Sequence, residues 1–286
     1  MNRVFKVIWN RTKGCYVVVA ETAKNMTKRS SLSVVFSKMV GATAVAVMLT
    51  GVMMPTDALG APITRGNGAQ AENDGGIAIG DNTASKGDYS ISIGTNASVG
   101  RGDTDEGKTQ SGIAIGQGAT VTVDVNKGKD VPANQRTGGI AIGQGATTKV
   151  VNAIAVGSGT SADGAQAVTI GHNSRSTTNN SVALGNETRV ASTNGFALGN
   201  NARAGYDENN QLIGLDNDQA FGSNARAYGG SSMAFGNDAK SSGGGAVSIG
   251  NGSQSRGDWA VAIGNGSKAL KQGSSALGTN ATTNSS

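Results

Sequence analysis

A fourteen-residue repeat runs through most of this 286-residue chain. Each copy contains a four-residue block that ends in glycine, as in Ile77-Ala78-Ile79-Gly80 and again in Ile91-Ser92-Ile93-Gly94. Nine of the twelve intervals between successive closing glycines are 14 residues, and the other three are 22, 27 and 23 residues. Such a repeat is typical of an array of stacked units, each contacting only its neighbours. The thirteen closing glycines are Gly80, Gly94, Gly116, Gly143, Gly157, Gly171, Gly185, Gly199, Gly222, Gly236, Gly250, Gly264 and Gly278.

The residues before each closing glycine follow a large, small, large pattern with period two, which predicts a short β-strand. Two residues after the glycine, twelve of the thirteen copies have Asn, Asp or Gly, which tolerate a left-handed backbone. Small residues follow at the third and fifth positions, as in Ala202 and Ala204, and predict a second, shorter strand. Two strands and two turns in fourteen residues predict one coil of an all-β parallel solenoid, with about thirteen coils in the chain.

Each coil contributes only about two large apolar side chains, which is a thin core for its surface. We expect the large side chains to face one way and the Ala or Ser between them to face a closely approaching backbone. Burial of this small-residue face against identical chains would relieve the shortage of core, so we expect an oligomer. A monomeric solenoid is the alternative.

The first 60 residues differ from the rest in charge and hydropathy. They hold eight Lys and Arg against two acidic residues, whereas residues 61–286 hold 16 basic and 17 acidic residues. An apolar stretch from Met39 to Met54 follows the basic segment, and small residues come next, which is the order of a signal peptide. We expect export by the Sec machinery and removal of residues 1–60, with cleavage after Ala58 or Gly60. A transmembrane helix is the alternative, but the apolar run is 16 residues where roughly 20 are needed to span a bilayer.

The residues beyond the leader carry few groups suited to catalysis. His172 is the only histidine of the chain and directly follows a closing glycine, so we interpret it as a solvent-facing turn residue. The only cysteine, Cys15, lies in the leader. Acidic residues lack the close pairing that acid–base catalysis uses, and the glycines follow strands without opening a helix, unlike a phosphate loop. We expect no enzyme, no cofactor, no metal and, with a net charge of −1 beyond the leader, no nucleic-acid partner.

The copies written AIAIG and NSVALG at 14-residue spacing resemble the head repeats of YadA-like trimeric autotransporter adhesins. The first 31 residues also resemble the extended signal-peptide region of large autotransporters exported by Gram-negative bacteria. The resemblance implies a left-handed parallel β-roll in which three chains lie side by side as a homotrimer. It also implies display at the cell surface, on the outer membrane, and binding to host extracellular matrix such as collagen or to a cell-surface receptor. The copy most similar to the form associated with collagen binding is Asn180-Ser181-Val182-Ala183-Leu184-Gly185.

On this interpretation residues 61–76 are a short lead-in and residues 77–286 are the head. Insertions fall near 100–110, 122–134 and 206–217, and we expect the second and third to project as loops or hairpins. Loops on a rigid scaffold commonly carry recognition. The insertion residues singled out as candidate receptor contacts are Lys127 and Lys129 in the longest insertion and Arg101, Gly102 and Asp103 at the start of the first.

The Arg-Gly-Asp triplets at 101–103 and 256–258 match the tripeptide that integrins bind. In a chain with 45 glycines, however, such triplets are also ordinary turn chemistry.

Two functional classes remain open. The first is a surface adhesin whose rod presents turns and insertions to a host receptor, and the second is a structural fibre that binds other copies of itself and promotes aggregation. The chain ends eight residues beyond Gly278, in an ordinary copy rather than the atypical capping repeat with which a solenoid normally ends. The resemblance also implies a stalk and a membrane anchor, so we expect the chain to be a piece of a longer adhesin.

Overall fold

A computed structural model describes residues 5–10, 15–20, 61–72, 75–100, 111–122 and 138–285. The chain divides into two compact units, Met1–Thr56 and Asp57–Ser286. In the first unit, β1 (Phe5–Asn10) pairs antiparallel with β2 (Cys15–Ala20), and Phe5 lies opposite Ala20. This hairpin lies inside the expected leader.

The second unit is built from two kinds of strand that alternate along the chain. Among the described residues, the three-residue strands are β3 (Ile63–Arg65), β5 (Ile77–Ile79), β7 (Ile91–Ile93), β9 (Ile113–Ile115), β11 (Ile140–Ile142), β13 (Ile154–Val156), β15 (Val168–Ile170), β17 (Val182–Leu184), β19 (Phe196–Leu198), β21 (Gln219–Phe221), β23 (Met233–Phe235), β25 (Val247–Ile249), β27 (Val261–Ile263) and β29 (Ser275–Leu277). The two-residue strands in the same part of the chain are β4 (Gln70–Ala71), β6 (Ala84–Ser85), β8 (Ser98–Val99), β10 (Thr120–Val121), β12 (Thr147–Thr148), β14 (Ser161–Ala162), β16 (Arg175–Ser176), β18 (Arg189–Val190), β20 (Arg203–Ala204), β22 (Arg226–Ala227), β24 (Lys240–Ser241), β26 (Gln254–Ser255), β28 (Lys268–Ala269) and β30 (Thr282–Thr283). Each kind forms its own sheet, in which successive strands of that kind are neighbours.

Neighbouring strands in both sheets are parallel and in register, so equivalent positions of successive coils lie one above another. Ile91 pairs with Ile113 across the first insertion, and Ile113 pairs with Ile140 across the second. Phe196 pairs with Gln219 across the third. The strands on either side of each insertion therefore stay paired in register. The predicted all-β parallel solenoid is confirmed.

The described residues form fourteen coils, one more than the sequence count. The additional coil is made by β3 and β4, within the segment expected to be a lead-in, and β3 pairs with β5. Its closing glycine is Gly66, with a φ of 130°. Arg65 stands where other coils have a second large apolar residue, and this replacement hid the copy in the sequence.

The predicted left-handed turn after each closing glycine is confirmed. Asn82 has a φ of 54°, and even Glu187, the one residue of another type at this position, has a φ of 55°. The closing glycines themselves have more extreme values, such as 127° at Gly80. A Cβ on Gly80 would lie 2.8 Å from the carbonyl carbon of Gly94 in the next coil. Glycine is required there because an L-residue has neither a suitable backbone conformation nor space for a side chain.

The interior of each coil lies between the two sheets and is filled by small side chains. Ala78 and Ala114, the middle residues of their strands, are 0% exposed, as is Ser85 at the end of a two-residue strand. The large residues beside them point outward, and Ile79 is 36% exposed. The expectation that the small-residue face packs against other chains is therefore wrong. The two strands of one coil lie so close together that the space between them admits only side chains such as Ala, Ser, Thr or Val.

Asp218 is a carboxylate enclosed in this interior, at a position where the other coils from β5 onward have Gly, Ser or Ala. Its Oδ1 accepts hydrogen bonds from the backbone N–H of Gly230 (2.9 Å) and from the backbone N–H (3.1 Å) and hydroxyl (2.7 Å) of Ser232. Its Oδ2 has no hydrogen-bond partner. Burial raises the pKa of Asp218, and the hydrogen bonds from Ser232 and Gly230 oppose this only in part.

We expect Ala141→Leu to destabilise the head severely, because Ala141 is 0% exposed and lies between Ala114 and Ala155 of the neighbouring coils. Overpacking an ordinary core costs about 1–3 kcal/mol, and occasionally more. Ile140→Leu, which changes the outward-facing neighbour, should alter the free energy of unfolding by less than about 1.5 kcal/mol. Urea unfolding of residues 61–286, followed by circular dichroism, compares the two variants. Equal stability would contradict the interior placement of Ala141.

We expect Asp218→Asn to raise the midpoint of thermal unfolding at pH 7 but to have little effect near pH 3. Between the ordinary pKa of 3.8 and the raised value in the folded state, the folded chain binds more protons than the unfolded chain. Stability is therefore present below 3.8 and is lost as the pH rises through this window, by about 1.4 kcal/mol for each unit of pKa elevation. Asn cannot ionise and avoids this loss.

Thermal unfolding measured between pH 3 and pH 7 tests this expectation. The exposed Asp216→Asn serves as the control for removal of one carboxylate from the same segment. If Asp218→Asn and the unmodified head lose stability equally as the pH rises, the buried carboxylate does not have the assigned effect.

Candidate binding surfaces

The outer surface of the sheet of three-residue strands is apolar. It is formed by the first and third residues of these strands, and we call it the apolar face. In the single chain, Ile170 is 42% exposed, Leu198 44% and Phe235 55%. Phe221 stacks on Phe196 with ring centroids 5.0 Å apart and lies 5.8 Å from the ring of Phe235. A contiguous exposed apolar surface of this kind is typical of a protein–protein interface.

The copy that resembles the collagen-binding form alternates between interior and surface. Ser181 and Ala183 are 0% exposed, so their side chains are enclosed. Val182 and Leu184 lie on the apolar face, and Asn180 is exposed in the turn before them. Side-chain contacts of this segment with a receptor would therefore come from these three outward-facing residues.

Asn180 belongs to a ladder of turn amides. Its Nδ2 donates to Oδ1 of Asn194 (3.3 Å), and Nδ2 of Asn194 donates to Oδ1 of Asn217 (3.2 Å). The three residues have φ values of 53°, 54° and 62°. The stacked left-handed turns thus hold the three amides in one row, with their side chains oriented by each other.

The candidate residues of the first two insertions lie outside the described residues: Arg101, Gly102, Asp103, Lys127 and Lys129. Their role in binding a receptor stays a prediction.

The second Arg-Gly-Asp triplet lies in described coils. Asp258 Oδ1 accepts a hydrogen bond from the backbone N–H of Gly244 (2.8 Å), and Arg256 Nη2 donates to Oε1 of Gln254 (3.2 Å). The carboxylate is therefore engaged in holding the turn of the preceding coil. This geometry favours the interpretation of this triplet as turn chemistry.

A row of cations that the sequence analysis missed lies on the outer surface of the sheet of two-residue strands. The members are Arg175, Arg189, Arg203, Arg226 and Lys240, and we call them the basic row. Each pairs in register with the next, so the charges repeat at the strand spacing of about 4.8 Å. The signal was present in the sequence, because each of these residues stands four positions after a closing glycine.

The third insertion, residues 206–217, folds back on itself, in line with the expectation of a loop or hairpin. Tyr206 and Leu212 form an antiparallel bridge, and Asp207 Oδ1 accepts a hydrogen bond from the backbone N–H of Gln211 (2.7 Å). Leu212 is 63% exposed.

The same insertion covers one end of the basic row. Arg226 Nη1 donates to the backbone carbonyl of Asp207 and to Oδ1 of Asn210 (3.0 Å). Lys240 Nζ pairs with the carboxylate of Glu208 at 3.2 Å. Two of the five cations are therefore engaged by the insertion.

The opposite end of the basic row is balanced by Asp163. Its carboxylate lies 2.7 Å from Arg175 Nη2 and 3.4 Å from Lys149 Nζ, and it accepts a hydrogen bond from Ser161 Oγ (2.7 Å). Burial alone would raise the pKa of Asp163, but the hydrogen bond from Ser161 and the charges of Arg175 and Lys149 outweigh it. The pKa therefore lies below its usual value, and Asp163 stays ionised as a counter-charge.

Other kinds of site find no support in the part of the chain that the structure describes. Its residues include no group of three or more His, Cys, Asp or Glu side chains that could hold a metal ion. His172 is exposed, and its Nδ1 lies 3.0 Å from Oδ1 of Asn186. No helix among these residues is long and apolar enough to cross a bilayer.

Two family models match the chain. Residues 1–50 match the extended signal peptide of the type V secretion system. The YadA head domain repeat matches residues 66–83, 71–97, 137–160, 162–188, 220–239, 227–253 and 256–281, which together make up half of the chain and fall on the solenoid. The resemblance noted in the sequence is confirmed, and the chain belongs to the YadA head-repeat family of exported surface adhesins.

Proposed function

We propose that the chain forms the head of a homotrimeric adhesin in which three apolar faces pack together. The exposure of large apolar residues on a single chain carries this proposal, with Leu198 44% and Phe235 55% exposed. Because each coil encloses only small side chains, its large apolar residues are buried only when another chain covers them. Membership in the YadA head-repeat family supports three as the number of chains.

We further propose that this head is displayed on the outer membrane of a Gram-negative bacterium. The extended signal peptide supports export by the Sec machinery. Cleavage after Ala58 or Gly60 would remove the basic leader and leave a head with nearly balanced charge.

The function that fits these features is attachment to host extracellular matrix, such as collagen, or to a cell-surface receptor, without catalysis. In-register coils give a rigid scaffold that holds turns and insertions at fixed positions, which is the usual arrangement of recognition loops. On the coils the candidate is Asn180, because Val182 and Leu184 belong to the apolar face that the trimer buries, and the insertions are the candidates outside the coils.

A self-associating fibre is the second candidate function. The third insertion carries apolar side chains outside the apolar face, with Leu212 63%, Ile213 41% and Leu215 44% exposed. Contact between such patches on different heads would join cells to one another rather than to a host surface.

Sedimentation of residues 61–286 should show a trimer, and Leu198→Asp should dissociate it, because three carboxylates would be buried among apolar side chains. Leu198 points outward in the single chain, so the variant should keep its circular dichroism spectrum. Ser223→Asp, in an exposed turn of the next coil, is the control and should leave the trimer intact. A folded monomer of the unmodified head at micromolar concentration would refute the assembly.

The head should adhere to at least one of immobilised collagen, fibronectin and laminin. Deletion of residues 122–134 should reduce this adhesion several-fold while leaving the trimer and the circular dichroism spectrum unchanged, since β10 and β12 pair on either side of that segment. Deletion of 206–217 tests the third insertion in the same way. Unchanged adhesion after both deletions would place the site on the coils, where Asn180→Ala is the next variant.

Aggregation of cells without adhesion to any of these proteins would favour the self-associating fibre.

A further inference from the structure

An open groove lies beside the basic row and has a volume of about 550 Å³. Its lining includes Ser161, Asn173, Arg175, Glu187, Arg189 and Tyr206. Ser161, Arg175 and Arg189 come from the neighbouring strands β14, β16 and β18. The turns of the same coils supply Asn173 and Glu187, and the third insertion supplies Tyr206. Two guanidinium groups, one phenol and an amide thus line the same open space.

Arg203 adds a buried charge next to this groove. It follows Arg189 in the basic row and is only 7% exposed. Its Nε and Nη2 donate to Oδ1 of Asn201, at 3.1 and 2.7 Å, whereas its Nη1 has no hydrogen-bond partner. Burial, together with the charges of Arg189 and Arg226, lowers the pKa of Arg203. A buried guanidinium with an unpaired N–H and cations on both sides is costly, and a nearby anion reduces that cost.

The positive charge at the middle of the basic row is only partly offset by neighbouring carboxylates, since Glu187 acts on Arg203 without forming an ion pair with it. Asp163 balances Arg175 at one end of the row, and the third insertion engages the cations at the other end. Within the described part of the chain, no carboxylate forms an ion pair with Arg189 or Arg203. Glu187 is the single carboxylate among the residues that line the groove. The groove therefore keeps an excess of positive charge.

The chemistry of the lining favours sulfate groups carried on a hydroxylated chain. Guanidinium groups present forked N–H donors that match the oxygens of sulfate and phosphate. Hydroxyl and amide side chains, here Ser161, Tyr206 and Asn173, hydrogen-bond the hydroxyl groups of a sugar. Because Arg175 and Arg189 lie in one straight row at the strand spacing, an extended ligand fits the groove better than a compact one.

Nucleic acid fits the same surface less well. Single-stranded nucleic acid is bound through several aromatic side chains on which successive bases stack, and Tyr206 is the one aromatic residue in the groove lining. Duplex binding requires a broad basic surface, whereas the cations beside the groove form a single row along one sheet.

We propose that this groove binds the sulfate groups of a sulfated polysaccharide, with Arg189 as the main anion-binding residue and Arg203 as the source of added positive potential. Arg175, whose Nε and Nη2 are held by Asp163, assists through the N–H donors that this carboxylate leaves open. The inference rests on the proposed function, because it names a class of matrix ligand for the head. The groove lies on the sheet opposite the apolar face, so it stays open when three apolar faces pack together.

Titration of the trimeric head with heparin by calorimetry tests the proposal, with unsulfated hyaluronan, inorganic sulfate and duplex DNA as the other probes. Heparin should bind, hyaluronan should not, and the affinity should fall as salt is raised because cations on the polyanion are released. Arg189→Gln, which changes an exposed residue, should weaken heparin binding by about tenfold, equivalent to about 1.4 kcal/mol. Glu187→Asn should tighten it, since it removes the carboxylate and keeps a residue suited to the left-handed turn.

Lys268→Gln is the matched control, because Lys268 is an exposed cation at the same position of a coil outside the groove. It should change the affinity by less than about twofold, within the range of an ordinary surface substitution. The proposal is overturned if heparin does not bind, if hyaluronan or DNA binds as tightly, or if Lys268→Gln and Arg189→Gln weaken binding equally. Adhesion to collagen or laminin and sedimentation of the head are measured separately. Failure of heparin binding would therefore overturn the groove proposal without deciding the proposed adhesin function.

Discussion

The close approach of the two strands within each coil is the constraint on which the rest of the structure depends. It excludes large side chains from the interior, so the apolar core inside the coils is limited to Ala and a few Val side chains. Interior hydroxyl groups add hydrogen bonds to backbone carbonyls, as Ser255 does to Val247 (2.6 Å) and Ser248 does to Lys240 (2.5 Å). Each coil is therefore held by backbone ladders and short polar cross-links, and its large apolar residues are displaced to the outside.

The repeat, the strands and the turns could be predicted from the sequence because each depends on local backbone preference. The positive φ values of Asn82 and Gly80 could be inferred from their residue types alone. The inside of the coil could not be assigned in the same way, since a period of two separates two faces without saying which is enclosed. The general rule that large apolar residues are buried pointed the wrong way, because the space between the sheets is too small for them.

The candidate binding surfaces were harder to predict because they exist only after the coils are stacked. Arg175 and Arg189 are fourteen residues apart in the sequence and become neighbours through strand pairing. Stacking also places the cations of the basic row one strand spacing apart. Their counter-charges must therefore come from outside the row. Asp163 and the third insertion provide them at the two ends of the row. The segment 180–185 could be located from sequence, but which of its residues face outward required knowledge of the interior.

Strand pairing that continues unbroken across the insertions has a consequence for how such a rod changes over generations. Described coils that follow one another without an insertion join in the same register, as the parallel pairs of β13 with β15 and β15 with β17 show. Duplication or loss of one whole coil in the gene would therefore join compatible ends and change the length of the rod alone. Gain of a single residue inside a strand would instead turn the outward side chains of that strand inward. The length of the solenoid can therefore vary by whole coils, whereas the set of side chains that face outward is constrained by the strand register.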